Sequence, residues 1–266
     1  MPEPMSRPRP YLRGSAPIVL AHRGGSLEAP ENSLAAVRHD LSLGLHYFET
    51  DVRTTRDGVA VLMHDASVDR TTSGTGLLAD LEWAEVATLR DASGAPPLRL
   101  DELLAHHPDL RLNIDVKEDR AVSALVEAVR TAGAEDRICL AAFDHDRLIA
   151  LRQAFGPAVL SSTSQREAVR VLVAAHLPGP MRRRALRRLA SNRSIGCLQV
   201  PPTYRGVRVV SRALVRAAHE LGWQLHVWTI NEPREMNDLL DLGVDGLVTD
   251  RPSLAQEVIA ARGHSG

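Results

Sequence analysis

Two carboxylates in one strand-like segment are the first residues of this sequence with the types and spacing for chemistry. Glu49 and Asp51 lie two positions apart in residues 47–52, where the remaining residues favour a β-strand, so the pleat turns both carboxylates to one face. Two like charges a few ångströms apart inside a fold destabilise each other unless a cation or a shared proton compensates them. The pair therefore indicates either a metal site or a solvated strand face, and these residues alone do not separate the two.

The ends of other strand-like segments carry further reactive groups. Together with the two carboxylates they form a set of seven: His22, Arg23, Glu49, Asp51, His64, Asp115 and Lys117. Histidine titrates near neutral pH, so two of them can divide the work of general base and general acid. The carboxylates are hard oxygen ligands of the kind that Mg²⁺ or Ca²⁺ prefers, whereas the guanidinium and ammonium groups can hold a phosphate oxygen. Because no cysteine lies near this set, a structural zinc site is not expected.

The elements that must position this set alternate along the chain. Stretches with helical periodicity separate eight short apolar runs, at residues 18–21, 47–52, 110–116, 137–141, 158–162, 195–200, 224–229 and 245–248. Because each parallel neighbour needs a crossover connection, this alternation predicts a parallel sheet. Eight strands close a barrel whose reactive groups come from the carboxyl ends of the strands. The sequence therefore predicts an α/β fold, a TIM (β/α)8 barrel.

Capping signals support six of the predicted helices. They span residues 31–43, 119–132, 144–154, 211–221, 233–242 and 252–261. The first opens after Pro30 and stops at Gly44, and the fourth begins with Ser211 and ends at Gly222, as helix termini favour.

One segment, residues 53–109, breaks the alternation. It is too long for one loop and one helix. Asp57-Gly58 predicts a tight turn into a returning strand at residues 59–63, and residues 100–105 resemble a short helix. We predict a small inserted subdomain after strand 2 that covers the catalytic end of the barrel, where βα loops lie. Within it, residues 73–76 are predicted to form a turn and not a phosphate-binding loop.

Composition limits the classes of partner. The 266 residues are 44% hydrophobic and 24% charged, with 32 basic against 33 acidic residues, so no overall field attracts nucleic acid or membrane. No segment has the apolar length of a transmembrane helix or the core of a signal peptide. We expect a cytoplasmic protein with a flexible Pro-rich tail at residues 1–16 and one domain at residues 17–263. Cys139 and Cys197 lie in apolar runs and are expected to be small buried side chains.

Short motifs spread over residues 18–260 resemble those of the glycerophosphodiester phosphodiesterase family. In chain order they are His22-Arg23-Gly24, Pro30-Glu31-Asn32-Ser33, Glu49-Thr50-Asp51, Asp57-Gly58, His64-Asp65, Asp69-Arg70-Thr71-Thr72, Ile114-Asp115-Val116-Lys117, Trp228-Thr229-Ile230-Asn231 and the stretch from Gly243 to Pro252. Each motif alone is weak, but their common order and compatible spacing make the resemblance specific.

The resemblance implies roles for particular residues. It implies a TIM barrel with an insertion after strand 2, and one divalent metal ion, Mg²⁺ or Ca²⁺. The implied metal ligands are Glu49, Asp51 and Asp115, the acid–base pair is His22 and His64, and the phosphate-binding groups are Arg23 and Lys117. The third ligand is often glutamate in the family, so the shorter aspartate here leaves the identity of the metal open. Trp228 is expected at the barrel mouth, either in the substrate pocket or in the uppermost layer of the core.

The activity implied is metal-dependent hydrolysis of glycerophosphodiesters to glycerol 3-phosphate and an alcohol. Either the neighbouring glycerol hydroxyl attacks phosphorus and forms a cyclic phosphate, or water attacks directly. The alternatives are a lipid-directed phospholipase acting on lysophospholipid or phosphatidylglycerol-type substrates, and a catalytically silent barrel that binds phosphoesters. The presence of both histidines and all three carboxylates argues against the silent barrel.

An arginine-rich stretch, residues 182–193, stands outside these motifs. Its basic members are Arg182, Arg183, Arg184, Arg187, Arg188 and Arg193. It predicts either a solvated helix face or an amphipathic surface helix that makes weak contact with anionic lipid head groups.

Overall fold

The alternating pattern of the sequence folds into a closed barrel. The computed structural model describes residues 10–12 and 17–263. The strands in this part of the chain are β1 (Ile18–His22), β2 (Tyr47–Thr54), β3 (Ala60–Leu62), β4 (Arg111–Val116), β5 (Ile138–Ala141), β6 (Leu160–Ser162), β7 (Ile195–Val200), β8 (Thr203–Tyr204), β9 (Val207–Arg208), β10 (Gln224–Val227) and β11 (Gly246–Thr249). The helices are α1 (Leu34–Ser42), α2 (Trp83–Val86), α3 (Leu100–His106), α4 (Ala121–Thr131), α5 (His145–Phe155), α6 (Gln165–Ala175), α7 (Gly179–Leu189), α8 (Arg212–Glu220), α9 (Pro233–Leu242) and α10 (Pro252–Gly263).

Eight strands form the barrel. Parallel pairing runs in the order β1, β11, β10, β7, β6, β5, β4 and β2, and β2 pairs again with β1, which closes the ring. Each of the eight predicted apolar runs overlaps one of these strands. The predicted TIM barrel is therefore confirmed.

Side-chain alternation along the strands separates two environments. Phe48 and Val52 of β2 belong to the apolar layer that α1, α3 and α4 cover, whereas Glu49 and Asp51 occupy the alternate positions and point to the other face. That other face is the barrel interior. At the amino end of the barrel it is filled by an apolar cluster that contains Cys139 and Cys197. Both cysteines are buried, as predicted.

Ser211 begins its helix as predicted, whereas α1 begins at Leu34 and not at residue 31, because Ser33 supplies the cap. The Ser33 hydroxyl accepts a hydrogen bond from the Ala36 amide at the start of α1, and Ser211 does the same for Leu214 at the start of α8. Gly243 ends α9 in the left-handed conformation with φ 91°, which glycine adopts without steric cost.

The insertion at residues 53–109 has a small core of its own. Its strand β3 returns antiparallel to β2, as the Asp57-Gly58 turn predicts. Buried side chains of the insertion pack together as a separate cluster: Val61, Met63, Val68, Leu78 and Val86. Residues 73–76 lie outside helices and strands, in agreement with the predicted turn.

The predicted flexible tail falls largely outside the described residues. Residues 1–9 and 13–16 are not described, but Pro10–Leu12 forms a 3₁₀ turn. Tyr11 in this turn is buried, and its backbone carbonyl accepts a hydrogen bond from the Tyr47 hydroxyl at 2.8 Å. This part of the predicted tail is thus packed against the barrel.

The region between β6 and β7 contains the arginine-rich stretch. Its first part lies in α7, where Arg183, Arg184, Arg187 and Arg188 are exposed, while Arg182 pairs with Glu220 at 2.8 Å. Among residues 10–12 and 17–263, none of the helices has both the length and the apolar character required to cross a lipid bilayer.

Candidate active site

Strand register brings the predicted site residues to one end of the barrel. His22 at the end of β1 lies beside Glu49 of β2, and Asp51 lies beside Asp115 of β4. The backbone amide of Met63 donates to the Asp51 carbonyl at 2.9 Å, which places the next residue, His64, at the same end. The sequence-predicted histidines and carboxylates therefore meet at the carboxyl ends of β1, β2 and β4.

The loop after β1 makes a close turn against β2. Arg23 and Gly24 both have positive φ, 51° and 79°, and the Arg23 amide donates to Glu49 Oε2 at 3.0 Å. A Cβ atom on Gly24 would lie 2.5 Å from atoms of Ala36 and Phe48. Glycine is therefore required at position 24 for both conformation and space.

The three predicted metal ligands are buried carboxylates. Glu49, Asp51 and Asp115 are 8%, 2% and 7% exposed. Burial and the neighbouring charge of Asp51 raise the pKa of Glu49 to about 7. Such a cluster requires compensating positive charge.

Two protein cations supply that charge. The Lys117 ammonium lies 2.8 Å from Asp51 Oδ1 and 2.6 Å from Asp115 Oδ2, and Arg23 Nε lies 3.1 Å from Asp51 Oδ2. Burial lowers the pKa of Lys117, but the charges of Asp115 and Asp51 outweigh it and the net pKa is raised. Both predicted phosphate-binding cations thus pair with the predicted metal ligands.

The donor set is chemically suited to a hard divalent cation. Within residues 10–12 and 17–263, no three His, Cys, Asp or Glu side chains converge closely enough to form a ready ligand cage. Asp115 Oδ1, however, is buried and has no hydrogen-bond partner in the described part of the chain. A buried carboxylate oxygen without a partner is costly and available as a ligand. Glu49, Asp51 and Asp115 therefore fit a metal by their chemistry, with Lys117 now holding two of them.

His22 is held by a carboxylate from the far end of the chain. Its Nδ1 lies 2.6 Å from Asp250 Oδ1, and Asp250 also accepts hydrogen bonds from Ser26 and Asn231. Burial raises the pKa of Asp250, but the hydrogen bond from His22, followed by those from Ser26 and Asn231, lowers it to about 2. Since an ionised carboxylate only accepts, Nδ1 carries the proton. Nε2 then faces Glu49, 4.0 Å from Oε2.

The environment of His22 favours its charged form. Burial lowers the pKa of His22, but the hydrogen bond to Asp250 and the charges of Glu49 and Asp250 outweigh this effect and raise the net pKa. Asp250 and Asn231 were quoted in the sequence motifs but not predicted as groups that orient His22. The signal in the sequence that could have identified these two residues was their place within the family motifs.

His64 is held in the same manner by its neighbour in the chain. Its Nδ1 lies 2.7 Å from Asp65 Oδ1, and its backbone carbonyl accepts a hydrogen bond from Arg53 Nε at 2.8 Å. The His64 side chain is 35% exposed, against 20% for His22. Each of the two imidazoles thus has Nδ1 engaged by an aspartate and Nε2 left for a substrate.

Aromatic residues line the mouth beside these groups. The Trp228 ring contacts the Phe143 ring edge to face, with centroids 5.9 Å apart, and Lys117 Nζ lies 5.7 Å from the centroid of Phe143. Phe143 is 64% exposed. The predicted substrate-pocket residue Trp228 therefore lies close to Lys117 through Phe143, which the sequence did not single out.

Known proteins resemble this chain in sequence and in fold. A model of the Glycerophosphoryl diester phosphodiesterase family matches residues 22–254. The chain is 37% identical over 254 residues to "Probable glycerophosphodiester phosphodiesterase 2" of Mycobacterium tuberculosis, covering 95% of this chain and 94% of that protein. It is 27% identical to a glycerophosphodiester phosphodiesterase of Caldanaerobacter subterraneus subsp. tengcongensis, covering 88% and 94% of the two chains.

A solved structure shares the fold. It is an Oleispira antarctica phosphodiesterase in complex with the product sn-glycerol-3-phosphate, which aligns with a TM-score of 0.73 and 24% identity over 92% of this chain and 97% of that one.

Proposed function

The chain belongs to the Glycerophosphoryl diester phosphodiesterase family, and from this premise we propose that it hydrolyses glycerophosphodiesters to glycerol 3-phosphate and an alcohol. The observation that carries the proposal is the paired arrangement of the two histidines. His22 and His64 each have Nδ1 engaged by an aspartate, at 2.6 and 2.7 Å. Two oriented imidazoles at one barrel end are suited to move protons to and from an oxygen on phosphorus.

The proton transfers divide between the two histidines. One histidine removes the proton of the attacking oxygen, and the other gives a proton to the departing alcohol oxygen. If the glycerol hydroxyl next to the phosphate attacks, a cyclic phosphate forms and water opens it in a second step. If water attacks directly, no cyclic product exists. Accumulation of a cyclic glycerol phosphate in a slow variant distinguishes the first route from the second.

We further propose one divalent metal ion, Mg²⁺ or Ca²⁺, held by Glu49, Asp51 and Asp115. When bound, it supplies positive charge that neutralises phosphoryl oxygens. Arg23 and Lys117 are the groups proposed for the substrate phosphate. Both now pair with the carboxylates, so we expect phosphate binding by these cations to depend on metal at the carboxylates.

The test is release of glycerol 3-phosphate from glycerophosphocholine in a coupled assay with Mg²⁺ or Ca²⁺, repeated after EDTA. We expect metal-dependent release, and a decrease of at least about a hundredfold in kcat for His22→Ala and His64→Ala. The control is His176→Ala, at the exposed end of α6, which should retain activity. If no head group yields glycerol 3-phosphate with either ion, the silent phosphoester-binding barrel or the lipid-directed phospholipase replaces this proposal.

Exposed apolar side chains around the mouth favour a second candidate function, a phospholipase acting on lysophospholipids. Leu27, Phe143, Tyr204 and Val207 are 66%, 64%, 51% and 68% exposed. They lie in the connections that follow β1, β5 and β7, at the end of the barrel that carries the histidines. Exposed apolar groups beside a polar site are suited to an acyl chain.

The exposed arginines of α7 are the corresponding candidate for weak contact with anionic lipid. Vesicles of phosphatidylcholine, with and without phosphatidylglycerol, test this contact by co-sedimentation. We expect binding only with phosphatidylglycerol, weakened by glutamine at Arg183 and Arg187 and unchanged in Arg234→Gln, an exposed control on α9. Faster turnover of lysophosphatidylcholine than of glycerophosphocholine would favour the phospholipase.

A further inference from the structure

A single arginine joins the insertion to the first loop of the barrel. Arg70 lies in the insertion, and its guanidinium donates twice to Glu31 in the connection after β1, from Nη1 at 2.7 Å and from Nη2 at 2.8 Å. Its third nitrogen, Nε, donates to Asp65 Oδ2 at 2.6 Å. One planar group therefore holds two carboxylates from different segments in a fixed relation, which a lysine ammonium cannot reproduce.

The second oxygen of Asp65 holds the catalytic candidate His64. Asp65 Oδ1 accepts from His64 Nδ1 at 2.7 Å, so both oxygens of this carboxylate are engaged and its plane is fixed. Hydrogen bonds from Arg70 and from His64 lower the pKa of Asp65 to about 2. The aspartate is thus an acceptor at neutral pH, and the orientation of the imidazole follows the orientation of the carboxylate.

The other end of this bridge is anchored. Glu31 is 13% exposed and also accepts from Arg23 Nη1 at 3.2 Å. The connection runs from Arg23 through Glu31, Arg70 and Asp65 to His64, and it crosses from the barrel to the insertion. His22 needs no such bridge, because it ends a barrel strand and its aspartate is held by Ser26 and Asn231.

We propose that Arg70 is a positioning residue for His64. It acts through Asp65, touches none of the reacting atoms, and fixes the imidazole so that Nε2 faces the substrate. The proposal rests on the proposed phosphodiesterase function. Arg70 is 49% exposed, and Glu31 keeps a second cation, Arg23, when Arg70 is lost. Its loss should therefore lower turnover far more than it lowers stability.

A double-mutant cycle of Arg70→Met and Asp65→Asn tests the coupling. We expect Arg70→Met to lower kcat about tenfold or more with little change in KM, as loss of an orienting partner typically does. Because the two residues act on one imidazole, the double variant should be no slower than the slower single variant. Arg56→Met is the matched control, since Arg56 forms an exposed pair with Glu82 in the same insertion, and it should keep kcat within about twofold of the wild type.

Rescue separates positioning from general loss of structure. Arg70→Lys should recover only part of the loss in kcat, because one ammonium cannot bond both carboxylates as the fork does. Free guanidinium at low concentration should raise the kcat of Arg70→Ala but not that of Arg56→Met. Melting temperatures of all variants should lie close to that of Arg56→Met.

A readout independent of activity distinguishes this inference from the proposed function. In histidine labelled with ¹⁵N, the His64 signal, assigned with His64→Gln, should report one Nδ1–H tautomer in the wild type and a mixture in Arg70→Met. If the wild type is inactive but this change occurs, only the proposed function fails. If the tautomer is unchanged, if kcat of Arg70→Met equals that of the wild type, or if the losses of the single variants multiply, the positioning role is wrong.

Discussion

Two histidine–aspartate pairs of the same composition occupy different environments in the candidate site. The His22–Asp250 pair is largely buried and its aspartate is held by neutral donors, whereas the His64–Asp65 pair is more exposed and is held by Arg70. Because His22 is more buried and lies beside other charges, its imidazole has a different electrostatic environment from that of His64. A pair of imidazoles in unequal surroundings is suited to carry out unequal roles in acid–base chemistry.

One buried carboxyl group outside the site has no hydrogen-bond partner in the described part of the chain. Asp40 in α1 is 1% exposed, and neither carboxylate oxygen has a hydrogen-bond partner there. Burial, which outweighs the opposing charge of His39, raises the pKa of Asp40 from its ordinary value of 3.8 to about 7. This residue should therefore limit stability near neutral pH.

The sign of that effect follows from proton linkage. Below about pH 4 both folded and unfolded states hold the proton, and the residue contributes nothing. Between about pH 4 and pH 7 the unfolded state releases the proton first, so stability falls as pH rises. Above about pH 7 the full cost remains, with an upper limit of about 4 kcal/mol for a pKa raised from 3.8 to about 7.

We expect Asp40→Asn to raise the free energy of unfolding at pH 8 and to leave it nearly unchanged at pH 4. Urea unfolding at the two pH values measures the difference. Asp238→Asn, an exposed acid on α9, is the control and should have little effect at either pH. An equal effect of Asp40→Asn at both values would mean that folding does not raise the pKa of Asp40.

At the scale of elements, the site depends on connections that hold segments in place. β1, β2 and β4 supply the carboxylates and His22 through strand register, but His64 lies on the insertion. The loop after β1, closed around Gly24, contacts both β2 and the insertion. The position of His64 relative to His22 therefore depends on the contacts between this loop and the insertion.

The 3₁₀ turn at Pro10–Leu12 closes the opposite end of the barrel. Tyr11 is buried, and its ring packs edge to face against Tyr47 with centroids 5.4 Å apart. Its hydroxyl is buried with no hydrogen-bond partner in residues 10–12 and 17–263. The ring should therefore stabilise the fold, whereas the hydroxyl should not.

We expect Tyr11→Ala to lower the free energy of unfolding by about 3 to 5 kcal/mol, as for large buried aromatic side chains. Tyr11→Phe should be neutral or slightly stabilising, because it removes an unsatisfied buried hydroxyl. Urea unfolding of the two variants measures both effects. A loss in Tyr11→Phe as large as that in Tyr11→Ala would indicate that the hydroxyl, and not the ring, anchors the segment.

At the scale of the whole molecule, the charged cluster links ligand binding to stability. Total basic and acidic residues nearly balance, 32 against 33, so a local imbalance at Glu49, Asp51 and Asp115 must be met locally. Lys117 and Arg23 do so in this structure. A divalent cation at the same carboxylates should add to the stability of the folded chain by mass action.

We expect Mg²⁺ or Ca²⁺ at about a hundredfold excess over its Kd to stabilise the protein by about 2.7 kcal/mol. Asp51→Asn and Asp115→Asn should remove this gain in thermal unfolding experiments, whereas Asp238→Asn should keep it. In EDTA, Glu49→Gln should raise the melting temperature, because it removes a buried like charge and keeps an acceptor for the Arg23 amide. Failure of both ions to shift the melting temperature would argue against metal binding at these residues.

The sequence by itself determined the barrel and supplied the residues that we propose as reactive groups. Hydrophobic periodicity and capping residues are local signals, and the eight strands and most of the intervening helices followed from them. The helix α6 was not predicted. Likewise, the alternation of Glu49 and Asp51 with apolar neighbours fixed which side chains share a face. The hairpin of β8 and β9 carried no such signal, because all its residues are exposed.

Only the tertiary structure decided which charges meet. Asp250 contacts His22 although 228 positions separate them in the sequence, and Arg70 contacts Glu31 across 39 positions. Lys117 was predicted to bind the substrate phosphate, but in the structure it pairs with Asp51 and Asp115. Ion pairs form between side chains that folding brings within a few ångströms, and periodicity carries no information on such distances. The segment at Tyr11 is a similar case. Its proline-rich composition does not predict packing, because the surface that buries Tyr11 forms only when the barrel folds.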